Sequence, residues 1–111
     1  MKIRWITVLA ALTVVSGMTL SAQDPKQVEA GKKVYDTYKC QKCHKTGEAG
    51  SKLSPLDGVA TKLTADEIHQ WLVSPDEMTA KLKKKPKVKM KKIDYKPGEL
   101  DALMAYMLSL K

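Results

Sequence analysis

An all-α fold of about four helices is what this sequence predicts, and three observations carry that prediction. Apolar residues recur at spacings of three and four along separate segments, helix-capping residues open those segments, and no stretch alternates apolar with polar residues as a half-buried strand would. The first helix opens at Asp24-Pro25, a capping residue followed by proline at the first helical position, with Gln27 placed to reach back to the cap. Val28, Gly31, Tyr35 and Tyr38 then line one face of a helix running into Cys40.

From Lys45 to Asp57 the chain carries Gly47, Gly50, Ser51, Ser54 and Pro55, a composition that predicts a loop. Thr64-Ala65-Asp66-Glu67 has the form of a capping box, and Ile68, Trp71 and Leu72 give the helix it opens one apolar side until Ser74-Pro75 stops it. Ser74-Pro75-Asp76-Glu77 repeats that grammar for a short following turn. Eight lysines fall in the twelve residues from Lys81 to Lys92, with Pro86 among them, so self-repulsion opposes a helix and a loop is expected. The last helix runs from near Pro97 to Leu110, with Leu100, Leu103, Met104, Met107 and Leu108 at amphipathic spacing.

The first residues bound the compartment. Lys2 and Arg4 precede an apolar run from about Trp5 to Val15, and small residues follow up to Ser21-Ala22, the layout of a cleaved secretory signal over residues 1–22. The run is interrupted by Thr13, Ser16 and Gly17 and falls short of the ~20 apolar residues of a spanning helix, so no stable membrane insertion is expected after cleavage. Residues 23–111 then form one periplasmic domain with no phenylalanine and little aromatic mass, a chain that needs a staple to hold its core. The whole sequence has a net charge of +8, and losing Lys2 and Arg4 leaves it basic. A basic exported domain points to acidic protein faces or anionic surfaces rather than to nucleic acid.

Cys40-Gln41-Lys42-Cys43-His44 is the motif that carries chemistry. Two thiols three residues apart can bond one porphyrin edge through thioethers while the adjacent imidazole reaches the iron. Zinc wants a closed shell of four ligands, for which the remaining histidines, His44 and His69, are poorly supplied and poorly spaced. A thioredoxin-like pair needs a strand before it, whereas these flanks read as helical and rich in lysine. A disulfide between Cys40 and Cys43 closes too short a loop to stabilise much. Covalent haem, one per chain, is the expectation, and it is also the missing staple.

A sixth ligand separates an electron carrier from an open haem that binds small molecules. The candidates are Met78, Met90, Met104, Met107 and His69. Met104 and Met107 fit the apolar face of the last helix, and His69 points away from the apolar side of its own. Met90 stands alone among Lys87, Lys89, Lys91 and Lys92, where nothing local would bury it, and a soft thioether suits a cycling iron. Met90 is therefore the expected ligand and Met78 the fallback.

Residues 23–111 resemble a small bacterial class I cytochrome c along nearly their whole length. The similar pieces are Ala30-Gly31-Lys32-Lys33-Val34-Tyr35, the Cys40 to His44 motif, Ser54-Pro55-Leu56-Asp57-Gly58, Trp71-Leu72 with Pro75, Met90, and Leu100-Asp101-Ala102-Leu103-Met104-Ala105-Tyr106-Met107. The resemblance implies a cytochrome c fold packed around one covalently attached haem. It implies that Gly31 lets the first and last helices cross against Tyr106, that the Pro55 carbonyl accepts the Nδ1 proton of His44, and that Leu56 packs on the haem. With Trp71, these residues complete the implied pocket. One departure is that Lys91 stands where many relatives place a proline after the ligand methionine. The function expected is that of a monomeric one-electron carrier, not an enzyme, docking on acidic faces of redox partners through Lys81 to Lys92. A dedicated haem subunit of a periplasmic oxidoreductase shares the same residues, and a five-coordinate ligand-binding haem protein requires only that Met90 not coordinate.

Overall fold

The computed structural model describes residues 24–111, and the predicted leader lies outside them. Its helices are α1 (Pro25–Thr37), α2 (Val59–Lys62), α3 (Ala65–Val73), α4 (Pro75–Ala80) and α5 (Glu99–Ser109), with a 3₁₀ turn at Cys40–Lys42. Helix α1 starts as its sequence requires: the Asp24 carboxylate accepts from Lys26 N–H at 3.0 Å, ahead of Pro25. Gln27 contributes only its backbone, which donates to the Asp24 carbonyl, so the predicted side-chain return does not form. The helix ends with Tyr38 as its cap and Lys39 in the left-handed region, φ 55°, a conformation that a lysine adopts only under local constraint. That reversal delivers the chain into the cysteine motif.

The core lies where α1 crosses α5. Val34 and Tyr35 pack with Ala102, Leu103, Tyr106 and Met107, and Val59, Ile68 and Leu72 close the cluster from α2 and α3. The crossing depends on Gly31, since a Cβ there would run into the Ala102 carbonyl and come within 2.7 Å of Tyr106 Cβ. Beside it the Tyr35 and Tyr106 rings meet edge to face at 5.4 Å, a geometry worth ~1 kcal/mol beyond the area it buries. At the far end Ala60 N–H bonds to the Leu110 carbonyl at 2.9 Å and ties α2 to the end of α5.

Helix α3 carries the predicted capping box, with the Thr64 hydroxyl accepting from Glu67 N–H and the Glu67 carboxylate accepting from Thr64 N–H. Helix α4 forms after Ser74-Pro75, but the Ser74 side chain makes no capping bond, so only proline of the two predicted signals operates. The lysine-rich stretch forms no regular element, as its self-repulsion requires.

The all-α class holds, with one addition. Within the loop predicted for Lys45 to Asp57, three very short strands, β1 (His44–Thr46), β2 (Ala49–Gly50) and β3 (Ser54–Pro55), form a sheet in the order β2-β1-β3. Strands β1 and β2 are antiparallel and β1 and β3 parallel. Segments of two and three residues are too short to show an alternating pattern, so their sequence reads as turn chemistry alone. This small sheet brings the residue after the second cysteine against Ser54.

Candidate functional site

The cysteine motif sits on one tight turn. Lys42 N–H bonds to the Lys39 carbonyl at 3.0 Å and Cys43 N–H to the Cys40 carbonyl at 3.1 Å, which holds the two thiols one turn apart. Both are free cysteines, Cys43 exposed and Cys40 half-buried against the core. Burial pushes the Cys40 thiol up to about 11, so at neutral pH it is a protonated, poorly reactive group in the bare chain.

His44 begins β1 and is held from two directions. Its Nδ1 lies 2.9 Å from the Ser54 carbonyl, and the Tyr35 hydroxyl of α1 donates to its backbone carbonyl at 3.4 Å. A histidine whose Nδ1–H is donated to a carbonyl presents the lone pair of Nε2, the form a metal takes. The acceptor corrects the expectation that Pro55 supplies it. In the parallel register His44 pairs with Ser54 and Lys45 with Pro55. Ser54 N–H bonds to the Cys43 carbonyl at 3.0 Å and Leu56 N–H to the Lys45 carbonyl at 2.7 Å. Because the N–H and C=O of one strand residue point to the same side, Ser54 turns its carbonyl toward β1 and Pro55 turns its own away.

Asp57 braces this loop. Its carboxylate accepts from Gly47 N–H at 2.6 Å and from the Lys45 ammonium at 3.1 Å, and these bonds, the Gly47 N–H foremost, hold its carboxyl below the ordinary value of 3.8. Gly50 completes the packing. Its φ is +102°, and a Cβ there would strike the His44 carbonyl. The sequence singles out neither Asp57 nor the Ser54 carbonyl for a role; of the two, the Ser54 carbonyl is a backbone acceptor and leaves no residue signature.

The remaining candidates separate clearly. Met90 is half-buried and packs against the core cluster, whereas residues 81–89 before it are exposed. Met78 is half-buried on α4 and is not among the side chains packed on that cluster. Met107 is 4 % exposed within the core, Met104 packs against it, and His69 is exposed. Leu56 packs on the core, while Trp71 is half-buried without joining it. Two buried polar atoms, Gln41 Oε1 and Tyr95 Oη, have no hydrogen-bond partner among the described residues. Gln41 follows Cys40 in the chain, and the Tyr95 phenol, pushed up to about 12 chiefly by burial, feels Cys40 next.

A family model for cytochrome c matches residues 28–111. The chain belongs to the cytochrome c family. No curated protein and no solved structure matches the chain. Membership accounts for the match in order between the cysteine turn, the helix crossing at Gly31 and the final helix, and it brings covalently bound haem and electron transfer as the family's chemistry. The residues present fit such a group: two thiols on one turn, an imidazole with its Nδ1 held by a carbonyl, and two buried polar atoms, Gln41 Oε1 and Tyr95 Oη, without a partner among the described residues. Among the described residues no three His, Cys, Asp or Glu side chains gather as a metal site. No described helix is long and apolar enough to cross a membrane.

Proposed function

We propose that this chain is an exported cytochrome c with one haem, bonded at Cys40 and Cys43 and ligated by His44 and Met90, that carries single electrons between periplasmic partners. The observation that carries the reading is the pairing of a fixed imidazole, His44 Nδ1 on the Ser54 carbonyl, with a lone half-buried thioether, Met90, on the core side of an exposed segment. The iron supplies a one-electron couple, and no substrate is transformed. The chain's own part is to hold both ligands unchanged. Ser54 keeps the His44 proton on Nδ1 and so keeps Nε2 basic. The core contact of Met90 keeps a neutral, soft donor in place, which favours the reduced metal and raises the potential.

Docking follows from charge. Lys81, Lys83, Lys84, Lys87 and Lys89 lie on the exposed run before Met90, and Lys91 and Lys92 follow it. A single-sign field of this kind steers a partner with an acidic face and raises the encounter rate more than the affinity. Reduction by such a partner is expected to slow as ionic strength rises, because the Debye length contracts to ~8 Å near physiological salt.

The test is an absorption spectrum of holoprotein made with a cytochrome c maturation system. Wild type is expected to show the weak ferric band of methionine-to-iron charge transfer. Met90→Ala is expected to lose that band and to bind carbon monoxide when reduced, and Met78→Ala to keep it. A band that survives in Met90→Ala moves the ligand to Met78. Strong carbon monoxide binding by reduced wild type at neutral pH replaces the carrier reading with an open haem protein.

A further inference from the structure

The segment that carries Met90 is tethered in an unusual way. From Lys83 to Tyr95 no backbone N–H finds a backbone carbonyl: the ladder stops with Leu82 N–H on the Thr79 carbonyl and resumes with Glu99 N–H on the Lys96 carbonyl. Over those residues the side-chain hydrogen bonds come from Lys85 alone. Its ammonium donates to the Thr79 carbonyl at 3.1 Å, the Ala80 carbonyl at 2.5 Å and the Leu82 carbonyl at 3.0 Å. Thr79 and Ala80 close α4, where the helix carries partial negative charge, and Leu82 lies two residues beyond it; the Thr79 carbonyl also accepts from Leu82 N–H. Three donors meet three acceptors, the full capacity of an ammonium. The helix end it grips is itself fixed, since Thr79 is 4 % exposed and Pro75 is fully buried.

We infer that Lys85 is a positioning residue for Met90, clamping the start of an otherwise unbonded segment to the end of α4 so that the thioether is held where the core receives it. The inference rests on Met90 being the axial ligand. It gives Lys85 a task different from that of its seven neighbours: they present charge outward, while Lys85 turns its charge back onto the chain. It constrains the chain on the N-terminal side of Met90, together with Pro86, whereas on the other side Lys91 stands and no proline stiffens the backbone. Four exposed residues, 86–89, separate clamp and ligand, and no hydrogen bond among the described residues holds them.

The experiment compares oxidised holoprotein of wild type, Lys85→Gln, Lys85→Arg and Lys84→Gln. The charge-transfer band is followed on heating at pH 7, with far-ultraviolet dichroism recorded in parallel. Lys85→Gln and Lys84→Gln remove the same charge, and only the first removes the clamp. In Lys85→Gln the band is expected to disappear at lower temperature than the helices melt, with a methionine-detached population roughly threefold to tenfold larger at a fixed temperature. Lys84→Gln is expected to match wild type, and Lys85→Arg to recover part of the difference. If Lys85→Gln and Lys84→Gln lose the band together, or the band and the helices always melt as one, the clamp is refuted while the Met90 assignment stands. A Met90→Ala protein that keeps the band refutes the assignment itself.

Discussion

The two sides of the site are built by different physics. From Cys40 to Gly58 the chain is bonded to itself at nearly every step: a 3₁₀ turn, three short strands, the Ser54 carbonyl on His44 and the Asp57 carboxylate across the loop mouth. From Lys83 to Tyr95 it has one ammonium clamp and the apolar contacts of residues such as Met90 and Tyr95. Directional bonds fix the imidazole to within a hydrogen-bond length. Apolar contact fixes the thioether only in bulk, because dispersion and burial have no preferred direction. The lesson is that His44 belongs to the scaffold and Met90 to a segment that can part from it at modest cost.

The largest effect on this contrast comes from removing the floor both sides share. Gly31→Val drives a side chain into the Ala102 carbonyl and Tyr106, both on α5 against the core, and is expected to cost ~3 kcal/mol or more and to leave little folded holoprotein. Chemical denaturation of whatever material is recovered measures it, and a near-wild-type midpoint would show that the crossing is looser than described. A smaller and more local effect is expected from Gly50→Val. Its φ of +102° and its approach to the His44 carbonyl make any side chain there strain the sheet, at ~1–3 kcal/mol, and the disturbance is expected in the His44 environment before the Met90 one. Spectra in which the methionine band changes first would reverse the contrast.

The smallest effect lies at the seam where the Met90 segment rejoins the helices. There the Glu99 carboxylate accepts from the Tyr38 hydroxyl at 2.7 Å and from Lys96 N–H at 2.7 Å. These bonds, the Tyr38 hydroxyl first, hold the Glu99 carboxyl below its ordinary 4.5. A carboxyl depressed in the folded state lends stability that is present above the unfolded value and is lost as pH falls through the folded one. Thermal melts of wild type are therefore expected to lose stability from about pH 4.5 downward more steeply than those of Glu99→Gln, with the variant slightly less stable at neutral pH. Parallel acid profiles would show that the seam contributes nothing.

Much of this arrangement was legible in the sequence. Helix-period spacing located α1, α3 and α5, Thr64 and Glu67 declared a capping box that forms, and the lysine repulsion of residues 81–92 excluded helix there. Gly31 against Tyr106 followed from the resemblance and is present as a backbone approach that tolerates no Cβ. What stayed hidden is what backbone groups decide. The Ser54 carbonyl, not that of Pro55, faces His44 because of a strand register too short to mark itself in residue types. Ser74 carries the residue type of a helix cap and makes no such bond, and Lys85 is indistinguishable in sequence from the lysines around it until its three carbonyl partners are known.

Everything said of either side presumes that Cys40 and Cys43 carry a porphyrin between them. Intact-mass analysis of protein exported by a host competent in cytochrome c maturation tests this most directly. The account predicts a single species heavier than the polypeptide by one haem, retained under denaturing conditions and lacking titratable thiols. A polypeptide mass alone, with both thiols free or joined only to each other, would contradict it.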